Sequence, residues 1–458
     1  MKASKLVSRF TFYLLAVGSA CSLGNVWRFP YVVGENGGGA FILIYIFLAF
    51  TVGLSILTAE LILGRLTQSS LVKIAQKNSK QYRKSYHWLG RISVLITIIM
   101  LAYYSVISGW VLYYLTQFLV NFQMDQTTDM MSKISLAPLK SSGVLQLALA
   151  SVHLIICGFV VSQGIIQRFE KIFIRILPLL VVLIVVLIYR SISLDSREDV
   201  LRFLFYPDFS KLNLSSLGRA LGHVFFTLSV GMGILVTYGS FFKDDEHLPS
   251  VGLRVTTIDT LISIMALLLI FPVAFAISGG RQISDPYLLF ESLPYLFAKI
   301  KYGHVFGILF FLCLWLAAVN ASLGLVEALT TNVQEYYAKI NRKLATSIAL
   351  LGVFILTLFP AFSGTLLSKY QFLGQSFLEN LDSILINYLL PLSALALIFL
   401  FFKTLSQEEI RSKFIDLSGK NSAAIYSHWI WTLKWVAPVL IVLALLLQSI
   451  SVIQDLFA

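Results

Sequence analysis

Charge is scarce in this sequence: acidic and basic residues make up 13% of 458 positions, against 57% hydrophobic ones. A chain so poor in charge cannot clothe a water-facing surface of this size, which excludes an ordinary soluble globule or a disordered protein. Long polar tracts are missing too, so no soluble domain, low-complexity segment or extended linker is expected. Cysteine is rarer still. Cys21, Cys157 and Cys313 all fall in apolar stretches and read as small packing residues, with no disulfide framework and no metal site. No nucleophile–base pair, metal-ligand cluster or nucleotide loop is visible, so the chain is not expected to be an enzyme. His153 and Cys157 lie one helical turn apart, a pair that reads as packing in an apolar span.

What is abundant is hydrophobic length. Mean hydropathy is +0.82, and about eleven apolar runs are each long enough to cross a bilayer as a helix. They lie at about 10–33, 39–65, 88–120, 143–162, 168–190, 217–242, 250–277, 303–336, 343–360, 374–402 and 428–453. Lipid offers backbone groups no partner outside a helix or closed barrel, so the expectation is one all-α, multi-pass domain. The first run is too long for a cleavable signal peptide, and none is expected.

The formal net charge of +12 is distributed as a topology signal. Lys2, Lys5 and Arg9 precede the first run, and Lys73, Lys77, Lys80, Arg83, Lys84 and Arg91 fill the loop before the third. Both regions fall on one side, which the positive-inside rule makes cytoplasmic together with the N-terminus. The acidic segment Lys243-Asp244-Asp245-Glu246 falls on that side as well, against the rule. A partner lipid bilayer is implied and nucleic acid is not.

Two spans are interrupted at corresponding places. The first reads AVGSACSLGNVWRFPYVVGENGGGAF over 16–41, and the sixth reads HVFFTLSVGMGILVTYGSFF over 223–242. Either cluster of small residues alone means close helix packing. Two of them, five spans apart and each carrying polar residues, point to inverted repeats with a site at the membrane midplane. Ionisable residues inside spans add to this, Asp259 in LRVTTIDTLISIMALLLIFP above all. A lone carboxylate in an apolar span is costly and reads as a cation ligand or proton carrier.

GNVWRFPY followed by ENGGGAF resembles the neurotransmitter:sodium symporter family, which has the leucine-transporter fold. AYYSVISGW at 102–110, FFTLSVGMG at 225–233, DTLISIMALLLIFP at 259–272 and LVEA at 325–328 extend the resemblance along nearly the whole chain. It implies two inverted five-helix repeats, at about 10–190 and 217–402, with broken helices one and six and an additional helix at about 428–453. It implies a first sodium site at Ala20, Asn25, Thr227 and Asp259, and a second at Gly18, Cys21, Ala317 and Asn320. At the second site the family offers adjacent Thr-Ser or Asp-Ser, whereas this chain has Asn320-Ala321 and lacks one oxygen. One or two sodium ions are therefore expected. Several family members carry Asn at the Asp259 position and need chloride for charge balance; the carboxylate here is expected to remove that need, although Ser263 sits where chloride-dependent members also place Ser.

By the same resemblance the substrate pocket is lined by Ala20, Ser22, Leu23, Gly24, Met100, Tyr104, Phe226, Ser229, Met232, Ala321 and Leu325. Ser22 replaces the Gly of amino-acid transporters and the Asp of monoamine transporters, which disfavours a monoamine. Arg28 and Asp382 would form an outer gate, and Glu335 and Ser240 align with inner gate positions. His223 stands where the family commonly has Gln; a buried hydrogen-bonded histidine and a pH-sensitive group are both open to it. The expectation is a multi-pass protein of the inner (plasma) membrane that brings in a small amino acid-like substrate, neutral and apolar, with sodium. A proton-coupled or single-sodium transporter of another small molecule, or a sensor of the same fold that has lost transport, are the alternatives.

Overall fold

The computed structural model describes residues 23–81, 86–121, 134–164, 166–194, 196–240, 247–278, 286–337, 339–371, 374–415 and 422–457. Ala20 and Ser22 of the expected pocket, and Gly18 and Cys21 of the expected second sodium site, lie outside them, as do Lys2 and Lys5.

The described chain is helical. α1 opens with a π-helical turn at Gly24–Arg28 and continues as Phe29–Glu35. The long helices that follow are α2 (Gly39–Thr67), then amphipathic α3 (Leu71–Gln81), α4 (Tyr86–Val120), α5 (Gly143–Ser162) and α6 (Ile166–Ile192). Short α7 (Arg197–Phe205) leads into the split span, whose halves are α8 (Ser216–Thr227) and α9 (Ile234–Gly239). α10 (Leu248–Ser278), α11 (Leu288–Lys299), α12 (Gly303–Tyr336), α13 (Arg342–Ala361), α14 (Phe377–Thr404), α15 (Gln407–Ile415) and α16 (Ala423–Gln454) complete the chain. Among the described residues nine helices are long and apolar enough to cross a membrane. The split span and the first span, described only from Leu23 onward, bring this to the eleven read from sequence.

α4, α10 and α12 are mostly buried and form the centre, while α16 is largely exposed along its apolar length, as a lipid-facing helix must be. Small residues set the closest approaches. A Cβ on Gly64 would lie 1.9 Å from the Val236 carbonyl oxygen of α9. A Cβ on Gly239 would lie 2.3 Å from that of Leu61, so α9 is seated directly on α2.

Residues 228–233 carry the break between α8 and α9. Ser229, Gly231 and Gly233 have φ of +56°, +83° and +75°, a region where glycine is at ease and a serine is strained. Backbone freed from a helix at this depth needs partners, and side chains from three helices supply them. The Gly231 N–H donates to Glu60 Oε1 at 2.6 Å, and Ser393 Oγ donates to the Gly231 carbonyl at 2.5 Å. Ser93 and Thr97 donate to the Met232 carbonyl at 2.9 and 3.3 Å. The break is thus a built feature of the fold.

Candidate functional site

Asp259 lies fully buried near the middle of α10, beside the N-terminal turn of α1 and the end of α8. Asn25 Nδ2 donates to its Oδ1 at 2.8 Å, to its backbone oxygen at 2.9 Å, and to Ser263 Oγ at 2.9 Å. Tyr45 and Thr227 donate their hydroxyls to Oδ2 at 2.9 and 3.1 Å. Every one of these donors is neutral. Among the described residues no cationic side chain is bonded to the carboxylate, and Asn25 Oδ1 is buried without a partner. An orphaned amide oxygen beside a carboxylate and a threonine hydroxyl is a hard oxygen set that suits a small cation. Three of the four residues expected at the first sodium site, Asn25, Thr227 and Asp259, are brought together here.

The π-turn at Gly24–Arg28 widens α1 where these residues must face inward, a common use of such a bulge. Immediately before it, the Leu23 amide donates to the Tyr104 hydroxyl at 3.3 Å. A backbone N–H at the start of a helix, beside a phenol, can turn to hold a carboxylate. Phe226 closes over this end: a Cβ on Gly24 would lie 2.6 Å from its ring. Met100 on α4, Met232 in the break and Leu325 on α12, all expected in the pocket, are buried at 2%, 4% and 4% exposure. Ser229 sits in the break itself, and Ala321 on α12 is partly buried.

Above this lies a second carboxylate cluster. Arg28 clasps Asp382 of α14 with Nε to Oδ1 and Nη2 to Oδ2, both at 3.0 Å, and both side chains are nearly buried. Tyr31 donates to Oδ2 at 3.0 Å, Tyr103 donates to Oδ1, and the Arg28 guanidinium stands 5.9 Å from the Phe226 ring centre. The pair forms part of the wall of a cavity of about 190 Å3 that also includes Trp27, Glu35, Arg219 and Glu379. The structure bonds His223 to Arg28, with Nη1 3.2 Å from Nδ1, and packs its ring on that of Tyr45, whose hydroxyl donates to Asp259.

At the expected second sodium site, Ala317 and Asn320 are buried on α12, and Asn320 Oδ1 has no partner among the described residues. The next hydroxyl, that of Ser322, lies 2.8 Å from His153 Nε2 on α5. Cys157 Sγ is 3.8 Å from the same nitrogen, so the His153–Cys157 pair does form one buried contact. Glu335 and Ser240, both expected at the inner gate, are engaged separately. Ser70 Oγ donates to Glu335, and Ser240 donates to the Thr237 carbonyl at 2.6 Å. Sequence reasoning passed over Tyr31, Tyr45 and Tyr103. The one available signal was position: Tyr31 follows Arg28 by three residues, hence on the same helix face.

A discontinuous span with a cation-ready carboxylate at its break defines a secondary transporter. The comparisons place it more closely. The model of the sodium:neurotransmitter symporter family matches residues 4–128 and 120–457, and the chain belongs to that family. It is 29% identical over 97% of both chains to the uncharacterized sodium-dependent transporter YhdH of Bacillus subtilis. It is 27% identical to the sodium-dependent serotonin transporter of Drosophila melanogaster, over 75% of this chain and 61% of that one. The crystal structure of MhsT in complex with L-phenylalanine superposes with a TM-score of 0.88 at 30% identity, covering 97% of this chain and 100% of MhsT. The fold is therefore the one expected from sequence, and the protein is a multi-pass, sodium-dependent symporter of a small molecule.

Proposed function

We propose that the protein imports a neutral amino acid with an apolar side chain across the inner (plasma) membrane, driven by sodium entering with it, with the N-terminus cytoplasmic. The observation that carries this is the uncompensated Asp259 carboxylate with the orphaned Asn25 Oδ1, next to the Leu23 amide and Tyr104 hydroxyl at the start of α1. Sodium as cargo would sit among Ala20, Asn25, Thr227 and Asp259, and the substrate carboxylate against Leu23, Gly24 and Tyr104. Met100, Phe226, Met232 and Leu325 favour an apolar side chain, and the L-phenylalanine bound to MhsT supports a large one. Arg28 and Asp382 close the outer side with Phe226 beneath them; Glu335 and Ser240 belong to the inner closure. Because Asp259 brings its own negative charge, chloride is not required.

A single-sodium stoichiometry is favoured by one observation: Ala321 offers no oxygen and the Ser322 hydroxyl is held by His153. The test is uptake of labelled L-phenylalanine, then a panel of neutral amino acids, into proteoliposomes with sodium, choline or a proton gradient outside. Sodium-dependent accumulation with a Hill slope near one is the expected result. Accumulation driven by the proton gradient alone, or none with any amino acid, overturns it.

A further inference from the structure

His223 is in direct hydrogen-bond contact with Arg28 of the outer gate, and the transport scheme above does not use it. Its imidazole stacks on Phe29 at a ring distance of 4.8 Å and an angle of 15°, and it is packed by Tyr45 and Phe226. Its side chain is completely buried, and Nε2 has no partner among the described residues. The contact with Arg28 fixes the chemistry of the ring. A guanidinium has donors only, so Nδ1 must accept, and the hydrogen of the neutral ring must be on Nε2. A second proton would convert Nδ1 into a donor facing a donor, and would set two positive charges side by side in a water-poor site.

The other charged and titratable groups do not relieve that conflict. On α1, Arg28 is the direct partner; on α2, Tyr45 meets the ring, and its hydroxyl is donated to Asp259 on α10. On α14, Asp382 already accepts from Arg28, Tyr31 and Tyr103, and its charge is matched to the guanidinium. Among the described residues no carboxylate is placed on Nε2, so an imidazolium gains nothing there to offset the loss at Nδ1.

We propose that His223 is a positioning residue of the outer gate: in its neutral form it orients Arg28 onto Asp382, and the proton it takes from the outer solution when the gate is open must leave before the gate can close. The proposal rests on the gate reading given above. Protonation places one proton from water on Nδ1, and closure returns it to water, so acid holds the outer side open. The surrounding rings of Phe29, Tyr45 and Phe226 keep the imidazole in register with the guanidinium and deny it an alternative partner.

The test reads the gate itself and needs no substrate. A single reporter cysteine, Ser229→Cys, is placed in the break; its reaction with a membrane-impermeant cationic thiol reagent added outside is timed in sodium buffer, the rate of the protein lacking the reporter is subtracted, and the remainder is divided by the reagent's rate with a free thiol at the same pH, which removes the loss of thiolate in acid. Lowering the pH from about 8 to about 5.5 is expected to raise the rate about fivefold or more, with the form of a single-proton titration. His223→Gln, whose side-chain oxygen accepts from Arg28 at any pH, is expected to give a slow rate that does not change with pH. His223→Leu, which offers no acceptor, is expected to give a faster rate that is equally flat. Acid acceleration that persists in His223→Gln, or a flat profile in the protein with His223 intact, overturns the proposal. Failure of every amino acid in the uptake assay would instead strike the substrate reading and leave the accessibility profile standing.

Discussion

Asp259 and Asp382 are both carboxylates buried in apolar helices, and each gathers tyrosine hydroxyls; they differ in the charge of their company. Asp382 receives a bidentate guanidinium, so the Arg28–Asp382–Tyr31–Tyr103 group is neutral as it stands. Asp259 receives an amide, a phenol and a threonine hydroxyl, none of which brings charge. A buried charge with only neutral donors is costly unless something else arrives to meet it. One cluster is therefore complete and can serve as a clasp, whereas the other is incomplete and has an unused oxygen on Asn25 pointing to what completes it. The Coulomb logic of the site separates the gate from the ion site without reference to any relative.

The sharpest way to break the comparison is to remove the charge at Asp259. Asp259→Ala is expected to lower sodium affinity at least about a hundredfold, read as the sodium dependence of substrate binding, because the charge and the bonds from Asn25, Tyr45 and Thr227 are all lost. Asp259→Asn keeps the shape and loses only the charge. Its remaining sodium response is expected to become chloride-dependent, while replacing chloride by gluconate leaves the native protein unaffected. A chloride requirement in the native protein would mean that Asp259 is not the compensating charge.

At the other cluster the order of loss reverses. Arg28→Ala leaves Asp382 buried with hydroxyls alone, which is expected to cost about 3–5 kcal/mol of stability and to abolish uptake. Arg28→Ala combined with Asp382→Ala is expected to regain most of the thermal stability without regaining transport, since the unpaired charge is gone and the clasp is still missing. If the single and double variants melt alike, the pair contributes no buried-charge penalty and the contrast with Asp259 fails.

The tyrosines then separate the clusters at a smaller scale. Tyr45→Phe removes one donor from Asp259 and is expected to weaken sodium binding about threefold to tenfold, corresponding to a net contribution of about 0.5–1.5 kcal/mol. Tyr103→Phe removes one donor from Asp382 and is expected to leave sodium affinity at its native value while speeding substrate release. Equal effects of the two on sodium affinity would mean that the clusters act as one.

The parts of this arrangement that were legible in the sequence are those where local chemistry conflicts with a lipid-spanning helix. The Gly–Ser cluster at 229–233, the carboxylate at Asp259 and the Arg in GNVWRFPY each violate an apolar pattern, and each proved to be at a break or a buried cluster. The tyrosines did not stand out, because an aromatic residue in a membrane span is ordinary and becomes a donor only through its tertiary neighbour. Ser93 and Ser393 were illegible for a related reason. A lone hydroxyl in a span usually bonds its own helix one turn back, as Thr58, Thr257 and Thr357 do here at 2.8 Å. Nothing in the sequence marks the few that reach across to the unwound backbone. His223 was visible as an oddity, but its partner could not be read off, since the choice between Arg28 and Asp259 depends on how α8 is rotated against α1 and α2.

The smallest effect tests the scaffold that keeps the two carboxylates apart. Gly231 is held from both sides, its N–H by Glu60 and its carbonyl by Ser393, with no full charge pair involved. Ser393→Ala removes one neutral donor from a carbonyl that is buried and outside any helix. The cost is expected to be about 1–3 kcal/mol, the penalty for a buried acceptor left unpaired, read as a fall in the melting temperature of the sodium-free protein. Sodium affinity is expected to change less than about threefold, because the carbonyl belongs to the break and donates nothing to Asp259. A loss of sodium binding comparable to that of Asp259→Ala would place Ser393 or the Gly231 carbonyl among the ion's ligands. The break would then be part of the ion site itself, and the division into a complete and an incomplete cluster would have to be redrawn around it.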